Sequence, residues 1–226
     1  MLKDKVDRLQ LFSAREILLR EADQFHALRQ CVSESKRFLD GASIADVLAV
    51  LFKDDANRRS VMESVLSIFH VGFLVEMHPQ TIDWLRAWAT EVGLASRHIV
   101  FESTIISREL GKLSGRHEVP TTIFNAFQHE RGSANYIEVL IPNHPDEIVT
   151  DWIEQEVGTH IGMTLADTSL FLKVRDAFLA EGFEIPAFME GRPMTNAAVG
   201  ASSIYFDKSY GGRTVRIELC NCEACP

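Results

Sequence analysis

Thr159-His160-Ile161-Gly162-Met163-Thr164-Leu165 is the stretch whose reading decides the fold. Small or apolar residues fill nearly every position, as in a buried β-strand, and a histidine sits near its start. Phe69-His70-Val71-Gly72-Phe73-Leu74-Val75 carries the same His-hydrophobic-Gly-hydrophobic pattern. The two histidines lie 90 residues apart. Two strands of one design at that distance suggest an internal duplication. Each is followed by an amphipathic helical pattern, then strand-like runs, and each unit closes on a strand with a central glutamate. Those strands are Tyr136-Ile137-Glu138-Val139-Leu140-Ile141 and Thr214-Val215-Arg216-Ile217-Glu218-Leu219. The pattern predicts two βαβββ units, each with a His at its head and a Glu at its tail.

Working outward, residues 1–68 read as a helical extension. Ser13-Ala14-Arg15-Glu16 has the form of a capping box, and apolar residues from Ile17 to Leu39 recur at helical spacing up to Gly41. Ser43-Ile44-Ala45-Asp46 opens a second helix, and a third is expected from about Asn57 to Ile68. The first module spans 69–142. Its helix contains Ile82, Trp84, Leu85, Trp88 and Val92 and stops at Gly93. Strands are expected at about 98–107 and 121–128 because both runs are rich in β-branched residues. Residues 143–157 form a linker with a short helix over Asp146–Glu156. The second module spans 158–220. Its helix starts at Asp167 or Thr168 and ends at Gly182, and its hairpin joins Ser203–Phe206 to Arg213–Cys220 through Lys208-Ser209-Tyr210-Gly211-Gly212. The segment 186–200 reads as an irregular strand or a loop. Residues 221–226 form a Cys-rich tail, and Cys220 at its edge with Cys222 and Cys225 within it are spaced to bind a soft metal or to remain reduced thiols.

Charge narrows the range of partners. The chain has 32 acidic against 23 basic side chains, a net charge of −9, and no Lys/Arg cluster. That balance disfavours nucleic acid and anionic membranes. Charges occupy the N-terminal positions where a signal peptide needs its apolar segment, and no apolar run approaches the roughly 18 residues of a membrane helix. A cytoplasmic protein with a small-molecule substrate is the expectation, and a homodimer is compatible with it.

Alternate residues of a strand share a face. Ile137, Val139 and Ile141, like Val215, Ile217 and Leu219, form apolar faces that must meet helices. Glu138 and Glu218 therefore face the other side of the sheet, and His70 and His160 share their faces with Gly72 and Gly162. An inward-facing carboxylate is costly unless it is paired or bound to metal.

Paired modules of this kind resemble the vicinal oxygen chelate superfamily, which includes glyoxalase I, methylmalonyl-CoA epimerase, fosfomycin-resistance proteins and extradiol dioxygenases. The resemblance covers about residues 69–220. It implies an α+β fold with a cupped, mostly antiparallel sheet, and His70, Glu138, His160 and Glu218 as ligands of a divalent metal. For a glyoxalase I-like isomerase or lyase it implies metal-stabilised enediolate chemistry, with Glu138 or Glu218 moving the proton. For an extradiol dioxygenase it implies iron held by His70, His160 and Glu218 alone, with Glu138 dispensable. A metal-free binding protein is the third possibility. Two imidazoles and two carboxylates accept Zn, Ni, Co, Mn or Fe(II). Arg216 shares a strand face with Glu218, where it would clamp a substrate carboxylate or phosphate, or pair with Glu218 itself.

Overall fold

The computed structural model describes residues 11–88, 91–129, 135–143, 147–196 and 201–221. Among the described residues the first elements are the helices α1 (Arg15–Arg20), α2 (Gln24–Gly41), α3 (Ile44–Leu51) and α4 (Asp55–Met62). Where one helix over 13–41 was expected there are two. The chain breaks at Glu21 and restarts where the Asp23 carboxylate accepts hydrogen bonds from the backbone N–H groups of Phe25 and His26. The Ser13 capping box does not form. Ala14 holds the N-cap position, and the Ser13 hydroxyl donates instead to the Glu156 carboxylate. The Ser43–Asp46 box does form and opens α3. The third helix ends six residues sooner than its apolar spacing suggested, because β1 already starts at Val65.

The first module runs β1 (Val65–Leu74), α5 (Thr81–Trp88), β2 (His98–Glu102), α6 (Thr104–Leu113), β3 (Thr121–Phe127) and β4 (Tyr136–Pro142). Helix α6 corrects the strand expected to extend to residue 107. Ser103 accepts from the Ile106 N–H as an N-cap, and Ile105, Ile106 and Leu110 turn one buried face inward. β-Branched content alone misled here, since tertiary packing overrides propensity. After α7 (Glu147–Glu154) the second module runs β5 (His160–Leu165), a 3-10 turn (Thr168–Leu170), α8 (Phe171–Ala180), a 3-10 turn (Ala187–Met189), β6 (Met194–Asn196), β7 (Ala201–Tyr210) and β8 (Arg213–Asn221). Asp167 caps the entry to α8. The hairpin loop is tighter than expected. Only Gly211 and Gly212, both at positive φ, separate the strands.

The eight strands of the described residues form one sheet in the order β2-β3-β4-β1-β5-β8-β7-β6. The order is the same read from either rim toward the middle, which is the duplication made visible. Five of the seven strand pairs are antiparallel; β1–β4 and β5–β8 are parallel. The fold is α+β, with the two units paired through β1 and β5 inside one chain. The N-terminal helices pack onto the helix-side face of β1 and β4, and α4 lies against α8. Ile137, Val139, Ile217 and Leu219 are buried there, with Phe73, Phe178 and Phe206 among the largest enclosed side chains. Helix α6 contacts both β3 and β6, strands near opposite rims of the sheet. It can do so only because the sheet curls into a half-barrel, and α6 therefore bridges its opening. Among the described residues no helix is long and apolar enough to cross a membrane.

Candidate metal centre

The centre lies where the duplicated strands meet. In the antiparallel β1–β5 pair His70 stands opposite Gly162, and Gly72 opposite His160. Each ring lies over the other strand's glycine. A Cβ on Gly72 would come within 2.1 Å of the His160 ring, and one on Gly162 within 2.1 Å of the His70 ring. The repeated His-x-Gly pattern is thus a reciprocal steric device, in which each half supplies a ring and the groove for its counterpart. The parallel pairings complete the rows, since Gly72 neighbours Glu138 on β4 and Gly162 neighbours Glu218 on β8.

Three donor atoms converge. His70 Nε2 is 2.8 Å from His160 Nε2 and 3.0 Å from Glu218 Oε2, while His160 Nε2 is 3.1 Å from the same oxygen. Both histidines are 1 % exposed, and Glu218 is 7 % exposed. Glu138 also faces this site, with Oε1 3.6 Å from His160 Nε2, but it stands outside the compact trio His70, His160 and Glu218.

The donor set fits a divalent cation. Gly158 O, which can only accept, lies 2.8 Å from His160 Nδ1, so that nitrogen carries the proton and neutral His160 presents its Nε2 lone pair inward. Three electron-pair donors at about 3 Å repel one another unless a cation or shared protons lie between them. Metal bonds of about 2.1 Å set neighbouring donors about 3.0 Å apart in an octahedral shell and about 3.4 Å in a tetrahedral one. The observed edges match the former. Tyr136 stacks on His70 at 4.8 Å with 7° between the planes, and Tyr205 tilts against His160 at 5.7 Å.

The two carboxylates are driven apart electrostatically. Burial raises the Glu138 pKa, with Glu218 adding to the rise while His70 and His160 oppose it. At Glu218 burial also pushes upward, but its hydrogen bonds to His160 and His70 and their charges outweigh it and hold this pKa well below the usual range. Burial pushes His160 down, and its hydrogen bond and charge interaction with Glu218 more than reverse that. A pH dependence of the metal-free protein follows. The stability lent by His160 is complete below its ordinary 6.5 and is lost as pH rises through the raised value. Glu138 acts in the same direction, from its ordinary 4.5 upward. Glu218 acts oppositely, and its contribution is lost only as pH falls through a value well under 4.5. Chelated protein should therefore melt at progressively lower temperature as pH rises above 6.5, and added divalent metal should flatten or reverse the trend by replacing the protons. Thermal melts with and without metal measure this.

Arg216 pairs neither with Glu218 nor with open solvent. Its Nε and Nη2 donate to Asp207 at 2.7 and 2.8 Å, and its Nη1 to Glu109 on α6 at 2.8 Å. Sequence reasoning missed both partners, although the two-glycine hairpin fixes the register that sets Asp207 opposite Arg216. It also missed Asn125, opposite Glu138 on β3, whose buried Oδ1 has no hydrogen-bond partner among the described residues. Cys220 is buried on β8, while Cys222 and Cys225 lie outside the described residues, as does most of the loop 129–133.

No family model matches the sequence, and no curated protein matches it. Among solved structures the chain is similar to a methylmalonyl-CoA epimerase in complex with methylmalonyl-CoA and NH4+, at 19 % identity over 69 % of this chain and 95 % of that one, with a TM-score of 0.41. It is similar to methylmalonyl-CoA epimerase from Mycobacterium tuberculosis, at 14 % identity over 69 % and 88 % of the two chains, TM-score 0.41. A hypothetical protein from Bacillus halodurans C-125 gives 14 % identity over 70 % and 96 %, TM-score 0.43.

Proposed function

We propose that the chain is a divalent-metal enzyme of vicinal oxygen chelate type, an isomerase or lyase that moves a proton beside a carbonyl or carboxylate of a small oxygenated substrate. The observation that carries this reading is the convergence of His70 Nε2, His160 Nε2 and Glu218 Oε2 at 2.8–3.1 Å on the cupped face. These three residues would hold the ion, which when bound supplies Lewis-acid polarisation of a substrate oxygen.

The protein's own groups divide the remaining work. Gly158 fixes the His160 tautomer, and Gly72 and Gly162 fix both ring positions. Glu138 is the carboxylate that faces the site without belonging to the trio, and it serves as the base. It would take a proton from the carbon next to the carbonyl or carboxylate group and return it to that carbon. Its burial suits the task, because the raised pKa makes this carboxylate a stronger base than an ordinary one. Tyr136 and Tyr205 wall the cup and keep the rings from swinging.

The test begins with elemental analysis of protein purified without chelator or affinity-tag metal. One divalent ion per chain is expected, and it should be lost in His160→Ala. Glu138→Gln should keep the ion yet slow deuterium exchange into a panel of 2-oxo acids and acyl thioesters by about 10²- to 10⁴-fold, the usual range for a general base. Metal-free protein, together with a His160→Ala variant that binds every ligand of the parent unchanged, would sink the proposal. Oxygen-dependent turnover that survives Glu138→Gln would move the assignment to an extradiol-type iron site.

A further inference from the structure

Among the described residues helix α6 has no counterpart in the second module. It adds no strand to the sheet, yet it delivers one buried carboxylate to the far half of the molecule. Glu109, 4 % exposed, reaches Arg216 Nη1 with both oxygens at 2.8 Å. Asp207 already neutralises that guanidinium through a bidentate contact at Nε and Nη2. Two carboxylates therefore share one buried cation, and one negative charge is surplus in a place where uncompensated charge is costly. On the first-module side α6 is fixed firmly. The Ser107 hydroxyl accepts from Thr121 N–H, and a Cβ on Gly111 would come within 2.5 Å of the Glu118 backbone. Among the described residues its polar contacts with the second module are those to Arg216, a 3.5 Å contact from Thr104 to Thr195 O and a 3.9 Å pair from Lys112 to Glu190.

We propose that Glu109 occupies the position of a substrate carboxylate on Arg216, and that substrates bearing a terminal carboxylate displace it while Asp207 keeps its grip. This rests on the metal-enzyme reading and names the substrate class within it. Arg216 and Glu218 share one face of β8 two residues apart, a step of about 6.7 Å along a strand. A molecule anchored at both ends thus carries its carboxylate a few bonds from the oxygen that meets the metal. The approach exists. A cavity of about 650 Å³ reaches Glu109, Arg216 and Asp207, and its wall balances Arg15, Lys112 and Arg213 against Glu154 and Glu156, with Arg213 held by Glu156 at 3.0 Å. Asp207 alone is enough to balance Arg216, so removing the Glu109 charge leaves no orphaned cation.

The experiment uses the full chain loaded with Co(II), whose visible spectrum reports the trio, and titrates 2-oxoglutarate against its neutral 5-amide. Glu109→Gln should tighten 2-oxoglutarate binding by at least about tenfold while leaving the amide unchanged, because only the charged ligand competes with Glu109. Arg216→Lys should abolish the preference for the acid. Should Glu109→Gln not fold, Glu109→Asp, which withdraws the carboxylate by one methylene, should give a smaller gain of the same selectivity. Cobalt bound in the parent with no acid-selective gain in either Glu109 variant would overturn the proposal and mark Glu109 as a tie for α6. Failure of cobalt to bind the parent would instead sink the metal-enzyme reading beneath it.

Discussion

Gly162→Ala should cost the protein its metal while leaving most of the fold in place. The added Cβ would meet His70 Cε1 at 2.1 Å, Nδ1 at 2.3 Å and Nε2 at 2.6 Å, all of them atoms of a rigid ring. The ring cannot retreat, because Tyr136 is stacked against it at 4.8 Å. Either His70 leaves its rotamer or β1 and β5 move apart. Overpacking of this kind costs about 1–3 kcal/mol of stability. Metal affinity should fall further, by at least about 100-fold, since even disturbing the support of a ligand costs about 10–100-fold. Gly72→Ala should do the same through His160. Gly41→Ala, where a Cβ would have nothing within 4 Å, is the control and should bind metal like the parent. Elemental analysis beside a thermal melt separates the outcomes, and a Gly162→Ala protein with a full complement of metal would show that the trio is not the site.

The second large effect is on stability. Arg216→Met should destabilise the fold by about 3–5 kcal/mol, because it leaves the buried Glu109 and the partly buried Asp207 facing each other without a cation. Against a typical total of about 5–15 kcal/mol that is a large share. Adding Glu109→Gln to Arg216→Met should restore part of the loss, and urea unfolding of the four proteins in the cycle measures the coupling. Equal losses from the single and double variants would show that the guanidinium matters only for its packing.

How much of this was legible follows from the range of each interaction. Strand alternation is local, so the opposed faces of Glu138/Ile137 and Glu218/Ile217 could be read directly. The repeat of His-x-Gly then tied two such faces together across 90 residues. Helix α6 was misread because Thr104, Ile105 and Ile106 look like a strand taken alone. The contrary signal was Ser103 as an N-cap with Ile106 and Leu110 four apart on one face. The early end of α1 hinged on Asp23, a better cap than Ser13, whose hydroxyl is engaged by Glu156 from far along the chain. Glu109 was beyond reach, for nothing around it in sequence announces a partner 107 residues away.

The central seam between β1 and β5 has a consequence for how this chain matures. The three donor atoms come from positions separated by 90 and 148 residues, and no local segment holds two of them. Long-range closures of that kind are made late, after nearby elements have formed. A nascent or half-folded chain therefore offers a passing ion only isolated imidazoles, and tight capture waits for both halves to mate. On the proposed reading, loading with metal would act as a seal on correct assembly.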